Sequence, residues 1–366
     1  RAGPLPSANP AALCAEGRPV SALAPWIERQ ARVLLGQRGH ALLLTGPAGL
    51  GQFELALALA SAWLCEAPGR APQDLACGHC PSCHAIAVHT HADLRLLLPE
   101  AEALARGIPL DEQTQKDLEK RKPSREIKVD AMRAALEFAQ RTSGRGRGKV
   151  VVVFPADRMN AVSANALLKT LEEPEGGLRF VLAANASERL LPTIRSRCTA
   201  HGLAWPRDGE ALDWLRGELP AANQADRQTL LRAAGGRPLA ALALARQGVD
   251  AALWRKLPAL ARRGDAAALQ AWAPPVLLDA LQKLAHDLSC RAVDAAPRYF
   301  APEDLAALMP PPALADLTGW AARLRLATAT AEHPFSAGLM LEALLTEASR
   351  TLGASSAAQR PRAERP

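Results

Sequence analysis

The sequence predicts an α/β protein: a doubly wound parallel sheet near the N-terminus, followed by domains built only of helices. Three observations predict it. Residues 41–64 run as apolar strand, glycine-rich turn and helix, the start of a βαβ unit. The run Val150–Phe154 is continuously apolar and mostly β-branched, as a central parallel strand buried on both faces must be. Beyond about Trp205 no convincing strand pattern remains, in a chain whose Ala and Leu favour helix and which holds one Tyr, six Phe and four Met.

Taken in order, residues 1–20 are rich in Pro and Ala without periodicity and read as an arm. Trp26–Leu35 has helical spacing, with Trp26, Ile27, Ala31, Leu34 and Leu35 near one face. Ala41–Thr45 reads as a buried strand entering the turn at Gly46, and Glu54–Leu64 as a helix of strong formers. Asp93–Leu98 is a second strand. Residues 100–125 are a charged insert carrying Gly107, Pro109 and Pro123, whose middle, "DEQTQKDLEKRK", is expected to be solvated. Val129–Gln140 returns to helical spacing, and "SGRGRGK" turns the chain into strand Val150–Phe154. Helix Ala161–Leu171 and strand Phe180–Ala184 complete the repeated βαβ units. The expected division is a sheet domain over 21–204, helical domains over 205–252 and 253–352, and a disordered tail over 353–366.

At 366 residues the chain has room for two or three domains. A net charge of +7 is compatible with a phosphate-rich partner but does not name one. No apolar run approaches the ~20 residues that span a bilayer, so a cytoplasmic chain without a membrane partner is expected.

The turn after the first strand has the glycine spacing of a phosphate-binding loop, G-x-x-x-x-G-K-[ST], with Gly46 and Gly51 in place. Gln52 and Phe53 stand where the phosphate-binding lysine and the metal-binding hydroxyl belong. After Val150–Phe154, Asp157 is a candidate remnant carboxylate, and Arg158 stands where a water-polarising glutamate is often found. Lysine, hydroxyl and glutamate are missing together, which argues against ATP binding and turnover.

Four of seven cysteines crowd into 65–83. Cys77, Cys80 and Cys83 form two overlapping C-x-x-C steps, and Cys65 ends the preceding helix as a fourth ligand for a structural Zn²⁺. His79 or His84 in place of Cys65 is an alternative at this stage, as is a redox C-x-x-C pair. A closed four-sulfur site stabilises an excursion and leaves no position for a substrate.

The stretches "ANALLKTLEEP" (164–174) and "FVLAANASERLLPTIRSRC" (180–198) resemble the AAA+ subunits of the bacterial DNA polymerase III clamp loader. The resemblance runs from about Ala24 to Trp205 and fades in the helical part, while the insert at 100–125 is longer than the family suggests. It implies a RecA-like AAA+ domain with a zinc excursion, then an all-helical lid and an all-helical collar through which subunits oligomerise. It further implies that Arg197, in Ser196-Arg197-Cys198, is an arginine finger acting in trans on a neighbouring ATPase subunit. Arg195 carries no such implication. Asn185 falls where a polar sensor of the γ-phosphate would lie, and a sensor arginine of active members is replaced by Leu239, with Arg237 two residues away. Lys169 is a candidate for a DNA phosphate or a solvated helix position. The implied role is a non-catalytic stator inside a DNA polymerase III holoenzyme. Its implied partners are the tau/gamma ATPase subunits, the delta subunit and, through them, the sliding clamp and primer-template DNA. Two other classes stay open from the residues alone: an atypical AAA+ ATPase, and a zinc-dependent nucleic-acid-binding protein outside any ring.

Overall fold

The computed structural model describes residues 23–207, 209–328 and 336–353. The expected arm at 1–20 and the tail after Gly353 lie outside them. The chain forms two compact units, one ending at Arg207 and the other taking the remainder.

The first unit holds five strands: β1 (Ala41–Thr45), β2 (Leu94–Leu97), β3 (Lys149–Val153), β4 (Leu178–Ala184) and β5 (Thr199–Gly202). They form one sheet in the order β2-β3-β4-β1-β5, and every pairing is parallel. The doubly wound α/β sheet expected of an AAA+ chain is therefore present, with β1 and its glycine turn near the middle. Both faces of the sheet are covered. Leu43, Val151, Val153, Phe180 and Leu182 share a cluster with Met132 and Ala135 of helix α6 (Val129–Gln140) and Leu167 and Leu171 of α7 (Ala161–Glu172). The alternate residues Leu42, Leu44, Val150, Val152 and Val181 are equally buried, so the strands are apolar on both faces.

The sheet's remaining helices are α1 (Pro25–Leu35), α2 (Gln52–Leu64), α3 (Pro81–Ala87), α4 (Glu100–Ala105), α5 (Glu112–Leu118) and the single turn α8 (Pro192–Arg195). Two of these, α4 and α5, lie inside the charged insert at 100–125, and α5 falls in the stretch expected to be solvated. Residues of α5 are indeed unburied, whereas Glu100 at the start of α4 is only 8% exposed. Its carboxylate takes Arg121 Nη2 at 2.8 Å, Lys128 Nζ at 2.5 Å and the Ser124 backbone N–H at 2.8 Å, which closes the insertion onto the edge of the sheet domain.

Asp93, 1% exposed just before β2, performs a similar closure on "SGRGRGK". It accepts from the backbone N–H groups of Gly144 (2.7 Å) and Arg145 (2.8 Å) and from Ser143 Oγ (2.9 Å). Burial pushes its carboxyl up, but these donors outweigh burial and hold it below its ordinary value. The loop then passes so close to the turn before β4 that a Cβ on Gly148, whose φ is +81°, would lie 2.6 Å from the Gly177 carbonyl oxygen.

The second unit is helical throughout its described residues: α9 (Glu210–Glu218), α10 (Gln224–Ala233), α11 (Pro238–Arg246), α12 (Ala251–Arg263), α13 (Pro274–Ala292), α14 (Leu314–Thr328) and α15 (Ala337–Gly353). One apolar cluster runs from Leu215 to Leu352, centred on Trp254, which stacks on Phe300 with ring centroids 4.9 Å apart. Asp287, fully buried in α13, accepts from three consecutive backbone N–H groups, Arg298 (2.9 Å), Tyr299 (2.7 Å) and Phe300 (2.8 Å). It thereby ties the loop after α13 to the core.

Candidate functional site

The turn between β1 and α2 keeps the conformation of a phosphate loop while filling its interior. Gly49 (φ +93°) and Gly51 (φ +109°) adopt left-handed backbone that only glycine takes without strain. Gln52, 2% exposed at the first position of α2, turns its carboxamide back into the loop. Nε2 donates to the carbonyls of Gly46 and, at 3.0 Å, Pro47, and lies 3.3 Å from Asn185 Oδ1. Oε1 accepts from the Gly51 N–H at 3.2 Å. Asn185 is thus joined to the glutamine on one side, and on the other its backbone N–H donates to Asp157 Oδ1 at 2.8 Å. The Gly51 N–H and the Gly46 and Pro47 carbonyls are thus paired with the glutamine inside the loop.

Phe53 closes the neighbouring position. It is 7% exposed, packs on Phe154 at 5.4 Å between centroids, and carries the Arg106 guanidinium 4.5 Å above its ring. Arg106 also reaches Glu54 (3.6 Å) and Glu102 (3.4 Å), so the position expected to hold a metal-binding hydroxyl is an aromatic–cation stack linking α2 to the end of α4. Arg158 is exposed, away from the role a glutamate would have there.

The four cysteines converge. The sulfurs of Cys65, Cys77, Cys80 and Cys83 all lie within 4.8 Å of one another, with Cys65–Cys80 and Cys77–Cys83 both at 3.9 Å. Four sulfurs around zinc at about 2.3 Å stand roughly 3.8 Å apart, while a disulfide needs about 2.05 Å, so the set fits a tetrahedral thiophilic ion. Backbone N–H groups of Cys77, Cys80 and Cys83 each donate to a cluster sulfur at 3.4 Å, which favours thiolates. Burial pushes the Cys80 thiol up, but the N–H groups of Cys83 and Glu66 outweigh it and hold that thiol down to about 6. Burial and the neighbouring Cys80 thiol push Cys83 upward. His79, hydrogen-bonded to the Cys77 carbonyl at 2.8 Å, and His84 are both exposed and outside the group.

The cluster is anchored by residues that the sequence left unassigned. The Asp93 N–H donates to His91 Nδ1 at 3.0 Å, which leaves His91 Nε2 to donate to Ser82 Oγ at 2.8 Å. Ser82 donates to the Leu64 carbonyl at 2.6 Å, and so seats α3 against the end of α2. Arg145 joins Glu66 at 2.7 Å, tying the cysteine excursion to the glycine–arginine loop.

Arg197 lies between α8 and β5, so it precedes one further strand instead of following the last one, as the sequence suggests. Its Nη1 donates to the Thr193 carbonyl at 2.8 Å, and both Nε and Nη2 meet Glu172 Oε1 at the end of α7. Cys198 beside it is a packed thiol, pushed up to about 11 by burial. Arg195 and Lys169 are exposed. In the helical unit, Arg237 Nε donates to the Ala234 carbonyl at 2.7 Å, and Leu239 is half-buried.

With this geometry in hand, comparison with known proteins is decisive. A DNA polymerase III subunit delta' of Escherichia coli is 34% identical over 279 residues, covering 71% of this chain and 76% of the relative. The chain belongs to the delta' family of DNA polymerase III subunits. A family model described as DNA polymerase III, delta subunit, matches residues 28–205. The delta' subunit of Pseudomonas aeruginosa is 39% identical over 213 residues, 58% of either chain, so this match spans little more than half of that relative's length. A DNA polymerase III subunit tau of Escherichia coli is 33% identical over 164 residues, 45% of this chain and 21% of the relative. Among solved structures, a DNA polymerase III gamma subunit-related protein of Thermotoga maritima aligns with a TM-score of 0.43 at 18% identity, over 89% of this chain and 99% of that one. Among the described residues, no helix is long and apolar enough to cross a membrane.

Proposed function

We propose that this delta' family member is the non-catalytic subunit of a clamp-loader ring, in which it binds no ATP and supplies Arg197 to the nucleotide site of a neighbouring ATPase subunit. The observation that carries the reading is the filled loop. Gln52 occupies the phosphate cradle with its own hydrogen bonds, and Phe53 replaces the metal ligand with an aromatic stack. A subunit so closed contributes to hydrolysis only outward. The tau/gamma and delta subunits are its partners in this reading, and the sliding clamp and primer-template DNA are reached through them. Helices over 205–252 and 253–352 serve as lid and oligomerisation collar. A structural Zn²⁺ on Cys65, Cys77, Cys80 and Cys83 holds the excursion, and the complex works in the cytoplasm.

Phosphoryl transfer places charge on the γ-phosphate oxygens, and a planar guanidinium from outside stabilises it bidentately. Arg197→Ala in a reconstituted complex should therefore leave assembly intact and slow hydrolysis at one site by ~10³–10⁵, the worth of such a group. Other sites keep their own arginines, so steady-state ATPase falls partly while clamp loading on primed DNA falls further. Arg197→Lys restores neither fully, because an ammonium lacks the fork. Normal ATPase and normal loading with Arg197→Ala would reduce the residue to a surface ion pair.

A further inference from the structure

We infer that Glu172 is the positioning residue for Arg197, bracing its guanidinium so that the unused donors point out of the subunit; the inference rests on Arg197 acting on a neighbour's nucleotide. Glu172 is the first glutamate of "LLKTLEEP" and lies 25 residues before Arg197, at the last position of α7. Oε1 of Glu172 accepts from Nε of Arg197 and is ion-paired with Nη2, along one side of the guanidinium. From α8, the Thr193 carbonyl accepts from Nη1 at 2.8 Å. Two of the five N–H groups of the guanidinium are thereby hydrogen-bonded inside the subunit, and Nη1 and Nη2 both keep donors, as a bidentate contact with a phosphoryl group requires.

Both anchors are firm. Leu171, next to Glu172, is 1% exposed in the sheet core, and Ile194, next to Thr193, is fully buried. Neither α7 nor α8 can shift without moving core side chains. The Arg197 side chain keeps 34% of its surface exposed, so the guanidinium is held on one side and still reachable from solvent. An unbraced arginine would sample many rotamers, and freezing them on binding costs side-chain entropy. A brace removes that cost before the neighbour arrives, which is how positioned donors gain rate without gaining contacts. The bond is one of geometry, since a neutral amide oxygen at the same place accepts from the same Nε–H.

The test is single-turnover ATP hydrolysis by complexes reconstituted with each variant, together with the KM for ATP. Glu172→Ala should slow the phase that Arg197→Ala abolishes, on the order of tenfold, with KM and assembly unchanged. Glu172→Gln should recover most of that rate, and adding Glu172→Ala to Arg197→Ala should change nothing further. Wild-type or faster hydrolysis with Glu172→Ala, beside a slow Arg197→Ala, would overturn the brace and leave the trans arginine standing. Equal loss with Glu172→Ala and Glu172→Gln would also overturn it, in favour of a charge effect. A normal rate with Arg197→Ala would overturn both readings at once.

Discussion

Glu100 shows what a single carboxylate accomplishes inside a charged insertion. Hydrogen bonding to Arg121 is the largest influence on it; burial opposes this, and Lys128 and the Ser124 N–H add to it, so the carboxyl is held down to about 2 against an ordinary 4.5. The sign follows from linkage. The unfolded chain takes up a proton near 4.5 and the folded chain near 2, so the stabilisation is whole above about 4.5 and is lost as pH falls toward 2. Glu100→Gln should therefore lower stability by roughly 1–3 kcal/mol at pH 7, and the gap to wild type should shrink steadily in chemical denaturation between pH 4.5 and pH 2. A gap that does not depend on pH would mean that shape, not charge, closes the insertion. Sequence reading gave this residue no role, because its partners lie 21 to 28 positions away and no local pattern announces them.

Among elements, those that bury an apolar face were legible and those held by backbone or by ions were not. Val129–Gln140 was read to the residue, and β3 differs from its expected span by one position at each end. Strand β5 escaped notice: its sequence, Thr-Ala-His-Gly, is polar, largely exposed, and paired at the sheet edge through main chain alone. The phosphate loop was legible as a set of losses, Lys and Ser/Thr, but the hydrogen bonds by which Gln52 fills the space were not, since they depend on a side-chain rotamer. The cysteine group is an exception, legible because metal-ligand spacing is itself a sequence pattern, whereas its anchors Ser82, His91 and Glu66 were not. Cys80→Ser should release the ion, measurable by metal analysis as loss of one equivalent of zinc, and should lower stability because binding and local folding are coupled. Full zinc in Cys65→Ser would instead move the fourth ligand to another side chain.

For the whole molecule, the division at Arg207 separates two independent cores, one around Phe180 and Leu182, the other around Trp254 and Trp272. Cooperative unfolding extends only as far as a shared core does. Scanning calorimetry should resolve two transitions. A strong chelator should lower the midpoint of only one of them, because the four cysteines belong to the sheet unit. A single transition that moves as a whole with chelator would show instead that the units melt as one body.

Seen as a binding equilibrium, Gln52 is a ligand that the chain carries for its own cradle. A tethered group works at an effective concentration of millimolar order or more, and it is present from the moment the loop folds. An incoming nucleotide could bind only the fraction of molecules whose glutamine has swung aside, and its apparent affinity would fall by that fraction. In the role proposed for it, the subunit would then not be switched by nucleotide levels, and its shape would stay the same whatever nucleotide its partners hold.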